Sequence, residues 1–536
     1  MARWSNVRAI YQIYPRSFFD TNADGIGDLP GIIEKLEYLD GGAGSLGADA
    51  IWISPFYPSP MADFGYDVSD YKNVHPMFGT LDDFDRLIEQ AHDRTLKVMI
   101  DFVPNHTSDE HNWFVQARSS RDNDYRDWYT WRDPAPDGGP PNNWLSVFGG
   151  SAWEFDEHTG QYYLHSFLSK QPDLNWSNPQ VRTAMADVLR FWLDRGVDGF
   201  RVDAVRWIAK DPELRDNPPN PDYDIDNDSD PYHAQLQINS KFGPELFAYL
   251  DEMADVVERY DDAIIIFEDY PDSGPDHIAQ FVDFYEHVDP DVAAPFNYDG
   301  TQVGYDAGQL RDFITNFQTA LDGDYRPFYA FGNHDKPRIA SRLGRVQARL
   351  IAVLQLTLPG IPVIYYGEEI GMMNVTIPPG DEQDPFEKQQ PGVGLGRDPQ
   401  RSPMQWSSEM FAGFSHVKPW LPVATDSDTY NVATELDDRA SFLSLYRQLL
   451  HLRGVSTSLS HGTYTLLPQS NDRIFAYARE YNSERMVILL NVSDQPSDCD
   501  VRDVNLLFLS THPDRRLGRL HESTITLQPH EAVIVR

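Results

Sequence analysis

The segment DGFRVDAVRW, Asp198 to Trp207, sets Arg201 and Asp203 two residues apart inside an otherwise apolar run. In an extended strand such residues share a face, so both charges point one way while Phe200, Val202 and Ala204 point the other. Charged groups are rarely buried without a strong reason. Other apolar runs carry the same kinds of group: Asp101 and His106 in LKVMIDFVPNH, Glu268 in AIIIFED, His334 and Asp335 in RPFYAFGNHD, Glu368 and Glu369 in IPVIYYGEE. One strand-end acid reads as an ion pair or a helix cap. Asp203, Glu268 and Asp335 together, each following an apolar strand, read as a shared site. Neither a Walker or dinucleotide glycine loop nor the His and Cys patterns of catalytic zinc accompany them. Paired carboxylates without a metal suit glycoside hydrolysis, in which one acts at the anomeric carbon and a second, kept protonated, donates to the leaving oxygen.

Groups spread so widely along the chain need a scaffold that gathers strand ends. Short β-branched runs recur at AIYQIYP, ADAIWISP, LKVMIDFVPNH, VDGFRVDA, AIIIFED, AAPFNY, RPFYAFGNHD and IPVIYYGEE. Stretches with helical spacing, such as LDDFDRLIEQAHD and VRTAMADVLRFWLDRG, lie between them. Strand–helix alternation with apolar strands predicts an α/β fold, and eight strands favour a closed (β/α)8 TIM barrel with its active groups at the strands' C-terminal ends. Two stretches break the rhythm. Residues 103–176, rich in Gly, Pro, Asn and Trp, read as a subdomain inserted after strand three. Residues 455–536 read as a small antiparallel β-domain, leaving 1–102 and 177–454 for the barrel.

The charge balance, 44 − 83 = −39, repels nucleic acid and anionic membranes and favours neutral or cationic ligands. A single cysteine, Cys499, excludes an intramolecular disulfide and a thiolate metal cluster. With no signal-like N-terminus and no bilayer-length apolar window, a cytoplasmic enzyme is expected. Monomer and homodimer both stay open.

DFVPNHTS, GFRVDAV, the strand-end FED, FGNHD and the inserted QPDLNW resemble, in order and spacing, the signature regions of the α-amylase family, glycoside hydrolase family 13. QPDLN and GRDPQRSPMQW look like its oligo-1,6-glucosidase and α-glucosidase branch. The resemblance implies that Asp203 is a nucleophile, Glu268 the general acid and then base, and Asp335 a group that grips the glucose 2- and 3-hydroxyls. It makes Arg201 the partner that keeps Asp203 ionised, and His106 and His334 hydrogen-bonding partners of the sugar. Asp63 and Tyr66, in MADFGYDVSDY, match positions at the base of the sugar pocket, Asp63 binding the terminal 4-hydroxyl and Tyr66 giving a stacking face. Either Arg397 or Arg401 would pair with Asp63 and close the pocket. Phe148 is either a wall of that pocket or a core residue. The family usually has Gly before its acid; here Phe267 precedes Glu268, and Asp269 follows it as a rival carboxylate.

In DTNADGIGD, residues 20–28, oxygen-bearing side chains alternate as in the start of an EF-hand, but the twelfth position is Gly31 rather than a bidentate glutamate. The resemblance implies one structural Ca2+, or Mg2+, on Asp20, Asn22, Asp24, Asp28 and the Ile26 carbonyl, with no organic cofactor. The expectation as a whole is a retaining, exo-acting α-glucosidase of maltose and short malto-oligosaccharides. By the same resemblance Ala204, where members preferring α-1,6 bonds have Val, implies α-1,4 preference. Oligo-1,6-glucosidase, transglucosylating, trehalose-forming and sucrose-cleaving relatives are the alternatives within the fold. A silent scaffold or a carbohydrate-binding protein is the alternative outside catalysis.

Overall fold

Eight apolar runs form the parallel strands β1 (Ile10–Ile13), β2 (Ala50–Ile53), β3 (Lys97–Phe102), β4 (Gly199–Val202), β5 (Ile264–Phe267), β6 (Ala293–Asn297), β7 (Phe328–Ala330) and β8 (Ile361–Tyr365). The computed structural model describes residues 3–40, 42, 44–224, 230–270, 277–321 and 325–536. The strands close into a barrel in sequence order, β1 pairing with both β2 and β8. Every strand residue is buried except the half-buried Lys97 at the start of β3. Burial on both faces is why these strands read as continuous apolar runs rather than alternating ones.

Helices α1 (Leu29–Leu39), α2 (Leu81–Asp93), α3 (Pro179–Leu193), α4 (Leu246–Glu258), α5 (His277–His287), α6 (Ala307–Leu321) and α7 (Arg345–Thr357) follow the strands. Their starts are specified locally. Thr80 accepts from Asp83 N and Asp83 answers at Thr80 N in a capping box on α2, and Asn178 caps α3 ahead of Pro179.

Between β3 and β4 a three-stranded antiparallel sheet forms, with Gln161–Leu164 flanked by Trp131–Arg132 and Trp153–Asp156. The returning chain lies along the end of β3: Leu174 N donates to Asn105 O at 2.8 Å, and His106 bridges to Asp173. That contact brings the inserted segment over the barrel mouth.

The C-terminal antiparallel sheet has six strands and begins at Thr463; Thr457–His461 are still helical. Its strands alternate between two cores: Phe475, Tyr477 and Ile488 join the barrel core, while Ile474, Ala476, Ala478, Val487 and Leu489 pack a separate one with Cys499. Among the described residues no helix is long and apolar enough to cross a membrane.

Candidate active site

Arg201, on β4, is 1% exposed and sits at the centre of the barrel mouth. Its Nη1 donates to Asp101 Oδ1 and to Asp203 Oδ1, each at 2.7 Å. Its Nη2 donates to Glu268 Oε1. The Trp52 and Tyr66 rings lie 5.3 and 5.8 Å from the guanidinium carbon. Asp101 is held in turn by Trp52 Nε1 and the Tyr66 hydroxyl, both at 3.2 Å. One permanent cation thus collects carboxylates from β3, β4 and β5. Removing one partner of such a buried ionic group costs about 3–5 kcal/mol, because it leaves a bare charge.

Strand β4 ends at Val202, and Ala204 does not continue its alternation. Ala204 is left-handed, at φ 51° and ψ 37°, and its N–H donates to Glu268 Oε2 at 2.8 Å. The sequence reading put Ala204 on the opposite strand face; the turn instead points its backbone at the acid. Asp269, the rival carboxylate, is fully buried and bonded by Arg206, outside the Arg201 cluster.

Burial raises the pKa of both Asp203 and Glu268. Glu268 pushes Asp203 further up, Asp335 does the same to Glu268, and Arg201 opposes both. The two carboxyls are near enough to hydrogen-bond each other and titrate as a pair. Asp335 behaves differently: burial would raise it, but His334, Arg401, Arg397 and Arg201 outweigh that and hold it well below the usual carboxylate range. The His106 and His334 rings are pushed down by burial to about 4 and about 3 and are neutral at pH 7.

The inner end of the pocket answers the choice between the arginines. Arg397 Nη2 donates to Asp63 Oδ1 at 2.6 Å and to Asp384 Oδ1 at 2.7 Å, whereas Arg401 Nη2 donates to Asp335 Oδ1 at 2.8 Å. Phe148 is 2% exposed, stacks on Phe386 at 4.0 Å and lies 5.3 Å from the Arg397 guanidinium. It is therefore a buried residue that also backs the pocket arginine. The Tyr66 hydroxyl lies 2.8 Å from His334 Nε2, and the amide of Gln12 on β1 donates to His334 Nδ1 at 2.9 Å. This bonding assigns the His334 proton to Nε2.

Sequence reasoning missed Gln171 and Asp384. The Gln171 amide donates to Asp63 Oδ2 at 3.2 Å and lies 3.0 Å from His106 Nε2, so QPDLN contributes a fully buried side chain to this end. Asp384 follows β8 as the N-cap of the five-residue helix Pro385–Gln389, which is too short for periodicity to mark it; the Asp-Pro pair was the signal available. Asp101 was noted at its strand end but given no role. Glu368 and Glu369 stay outside the cluster: Glu369 is bonded by Tyr11 and Tyr38, and burial pushes Glu368 up to about 8.

The profile described as Alpha amylase, catalytic domain matches residues 12–462. The chain belongs to the α-amylase family. A profile described as Maltogenic Amylase, C-terminal domain matches residues 464–534. The chain is 40% identical to an oligo-1,6-glucosidase of Heyndrickxia coagulans, over all of this chain and 99% of that protein. It is 43% identical to a probable alpha-glucosidase of Rhizobium meliloti, over 92% and 90% of the two chains. The solved structure of the alpha-glucosyl transfer enzyme XgtA is 38% identical, covers both chains fully and superposes with a TM-score of 0.91. As a member of this family the chain is a glycoside hydrolase.

The Asp20–Asp28 loop lies between β1 and α1. Asp20 Oδ1 accepts from Asn22 N and Ala23 N, and Oδ2 from Gly25 N and Ser415 Oγ. Gly25 adopts φ +89°, and a Cβ there would meet Lys418 O at 2.5 Å, so the loop docks closely on the 414–420 segment. Asn22 and Asp24 each accept from a backbone N–H two residues on, and Asp28 caps α1. The donors are all oxygens, the chemistry a hard cation requires. Among the described residues, however, no three His, Cys, Asp or Glu side chains gather as a metal-holding group.

Arg397→Met tests the closed end. It leaves Asp63 and Asp384 buried without their cation, so kcat/KM is expected to fall by roughly a hundredfold or more, with a lowered Tm. Wild-type kcat/KM from steady-state kinetics would refute the pairing as a substrate-binding element.

Proposed function

We propose that the chain is a retaining, exo-acting α-glucosidase that cleaves the non-reducing-end bond of maltose and short malto-oligosaccharides. The observation that carries this reading is the Asp203–Glu268 pair held by one arginine beside a pocket end closed by Asp63 and Arg397. An inverting pair stands about 6.5–9.5 Å apart to admit a water, and a retaining pair about 5–5.5 Å. Carboxyls near enough to hydrogen-bond each other support the second.

On this reading Asp203 as the carboxylate attacks the anomeric carbon as the glycosidic bond breaks, and Glu268 as the acid gives its proton to the departing oxygen. A water then gives its proton to Glu268, attacks the same carbon and releases Asp203, so two inversions restore the α-configuration. Asp335, kept ionised by its arginines, accepts hydrogen bonds from the ring hydroxyls. The neutral His106 and His334 offer N–H donors without adding charge that would oppose the developing cation.

The name of the Heyndrickxia relative favours α-1,6 bonds; Ala204 favours α-1,4. Purified enzyme is expected to show a higher kcat/KM on maltose than on isomaltose, and Ala204→Val to narrow that ratio. Equal or faster hydrolysis of isomaltose by the unmodified chain would overturn the linkage assignment. The likeness to an alpha-glucosyl transfer enzyme supports a second reading, transfer of the glucosyl group to a sugar instead of water. Oligosaccharides longer than the substrate in a maltose digest would establish it; trehalose or sucrose chemistry would appear in the same product analysis.

For the Asp20–Asp28 loop we infer one Ca2+, or Mg2+, with a stabilising and not a catalytic role, supported by its oxygen-only donor set. Millimolar Ca2+ is expected to raise Tm by a few degrees with kcat unchanged. A Tm insensitive to both ions would refute it.

A further inference from the structure

Tyr298, the residue after β6, is 1% exposed, yet its hydroxyl makes no hydrogen bond of good geometry. Strand pairing sets Phe267 opposite Pro295, so Glu268 and Tyr298 leave the same ends of adjacent strands. The Tyr298 ring stacks on Tyr270 at 4.8 Å and on Phe296 at 5.0 Å, which fixes its plane. The Tyr270 hydroxyl is engaged by Asn333 Nδ2 at 2.9 Å; that of Tyr298 is not. The charges facing Tyr298 are Arg201, whose guanidinium is already within hydrogen-bonding reach of the hydroxyl, Glu268 and Asp101. Arg201 likewise has a bare group, its Nε–H. Buried polar groups without partners are uncommon and call for a reason, and here two stand together at the catalytic cation.

The reason lies in what Glu268 must do. In the free pocket it is bonded to Arg201 Nη2 and Ala204 N. To protonate a leaving oxygen it must release at least one of these while Arg201 still holds Asp203. We propose that Tyr298 is a positioning residue for Arg201: its hydroxyl oxygen accepts the guanidinium N–H as Glu268 turns to the leaving oxygen. Only hydrogen bonds are exchanged, and the phenol keeps its proton throughout. The proposal rests on the glycosidase reading and deepens it.

Tyr298→Phe removes one oxygen and keeps the stacked ring. In the full chain kcat is expected to fall roughly tenfold, the worth of one hydrogen bond to a charged group, with KM within about twofold. The acid limb of kcat/KM reports ionisation of Asp203. A less firmly held Arg201 favours that anion less, so the limb moves to higher pH. Tm is expected to hold or rise, because an unpartnered buried hydroxyl has been removed. Wild-type kcat with an unmoved acid limb would overturn the proposal. So would a marked loss of Tm, which would show that the hydroxyl has a structural partner. Asp203→Asn separates the two levels: if it retains turnover, the glycosidase site itself is wrong, whereas if it is inactive and Tyr298→Phe behaves as wild type, only the role of Tyr298 fails.

Discussion

The structure turns on a guanidinium buried at the mouth of a barrel. Taking such a cation out of water costs several kcal/mol unless its partners return that energy through close, well-formed bonds. Arg201 obtains them from Asp101, Asp203 and Glu268, one carboxylate from each of three neighbouring strands. Arginine suits the task because it stays protonated and offers a planar fork of donors. The constraint works in both directions: the acids keep the arginine in place, and the arginine holds Asp203 and Glu268 side by side.

Around that centre electrostatics divide the labour. Three carboxylates in one pocket can differ in protonation only if their surroundings differ. Asp335 faces Arg401 and Arg397 and stays ionised, whereas Asp203 and Glu268 compete for a single cation and are pushed up by burial. Differing surroundings of this kind are what allow neighbouring carboxyls to take different roles. The far end uses the same device for shape. Arg397 bonds both Asp63 and Asp384 there, and Gln171 ties the inserted segment to that end.

Much of this was legible in the sequence, for a physical reason. Strands buried on both faces are written as apolar runs, so Arg201, Asp203, Glu268 and Asp335 stand out as charges where none should be. The barrel followed from counting such runs. What stayed hidden depends on the path of irregular chain. Arg397 and Arg401 flank one short turn, and only its orientation decides which meets Asp63. Asp384 caps a helix too short to show periodicity, and the left-handed turn at Ala204 is a backbone property that an alanine does not announce. Tyr298 read as the end of an apolar strand, because its significance lies in where its hydroxyl sits beside Arg201, which only the fold reveals.

The central claim is that Asp203 becomes covalently bound to sugar while Glu268 moves the proton. It is tested most directly by intact-mass measurement and peptide mapping of the enzyme treated with a fluorinated glucosyl fluoride, which forms the intermediate faster than it is hydrolysed. The account predicts one added glucosyl unit per chain, located on the peptide containing Asp203 and absent from Asp203→Asn. An adduct on Asp101, Asp335 or Glu268, or turnover of the reagent by inversion with no adduct, would contradict it.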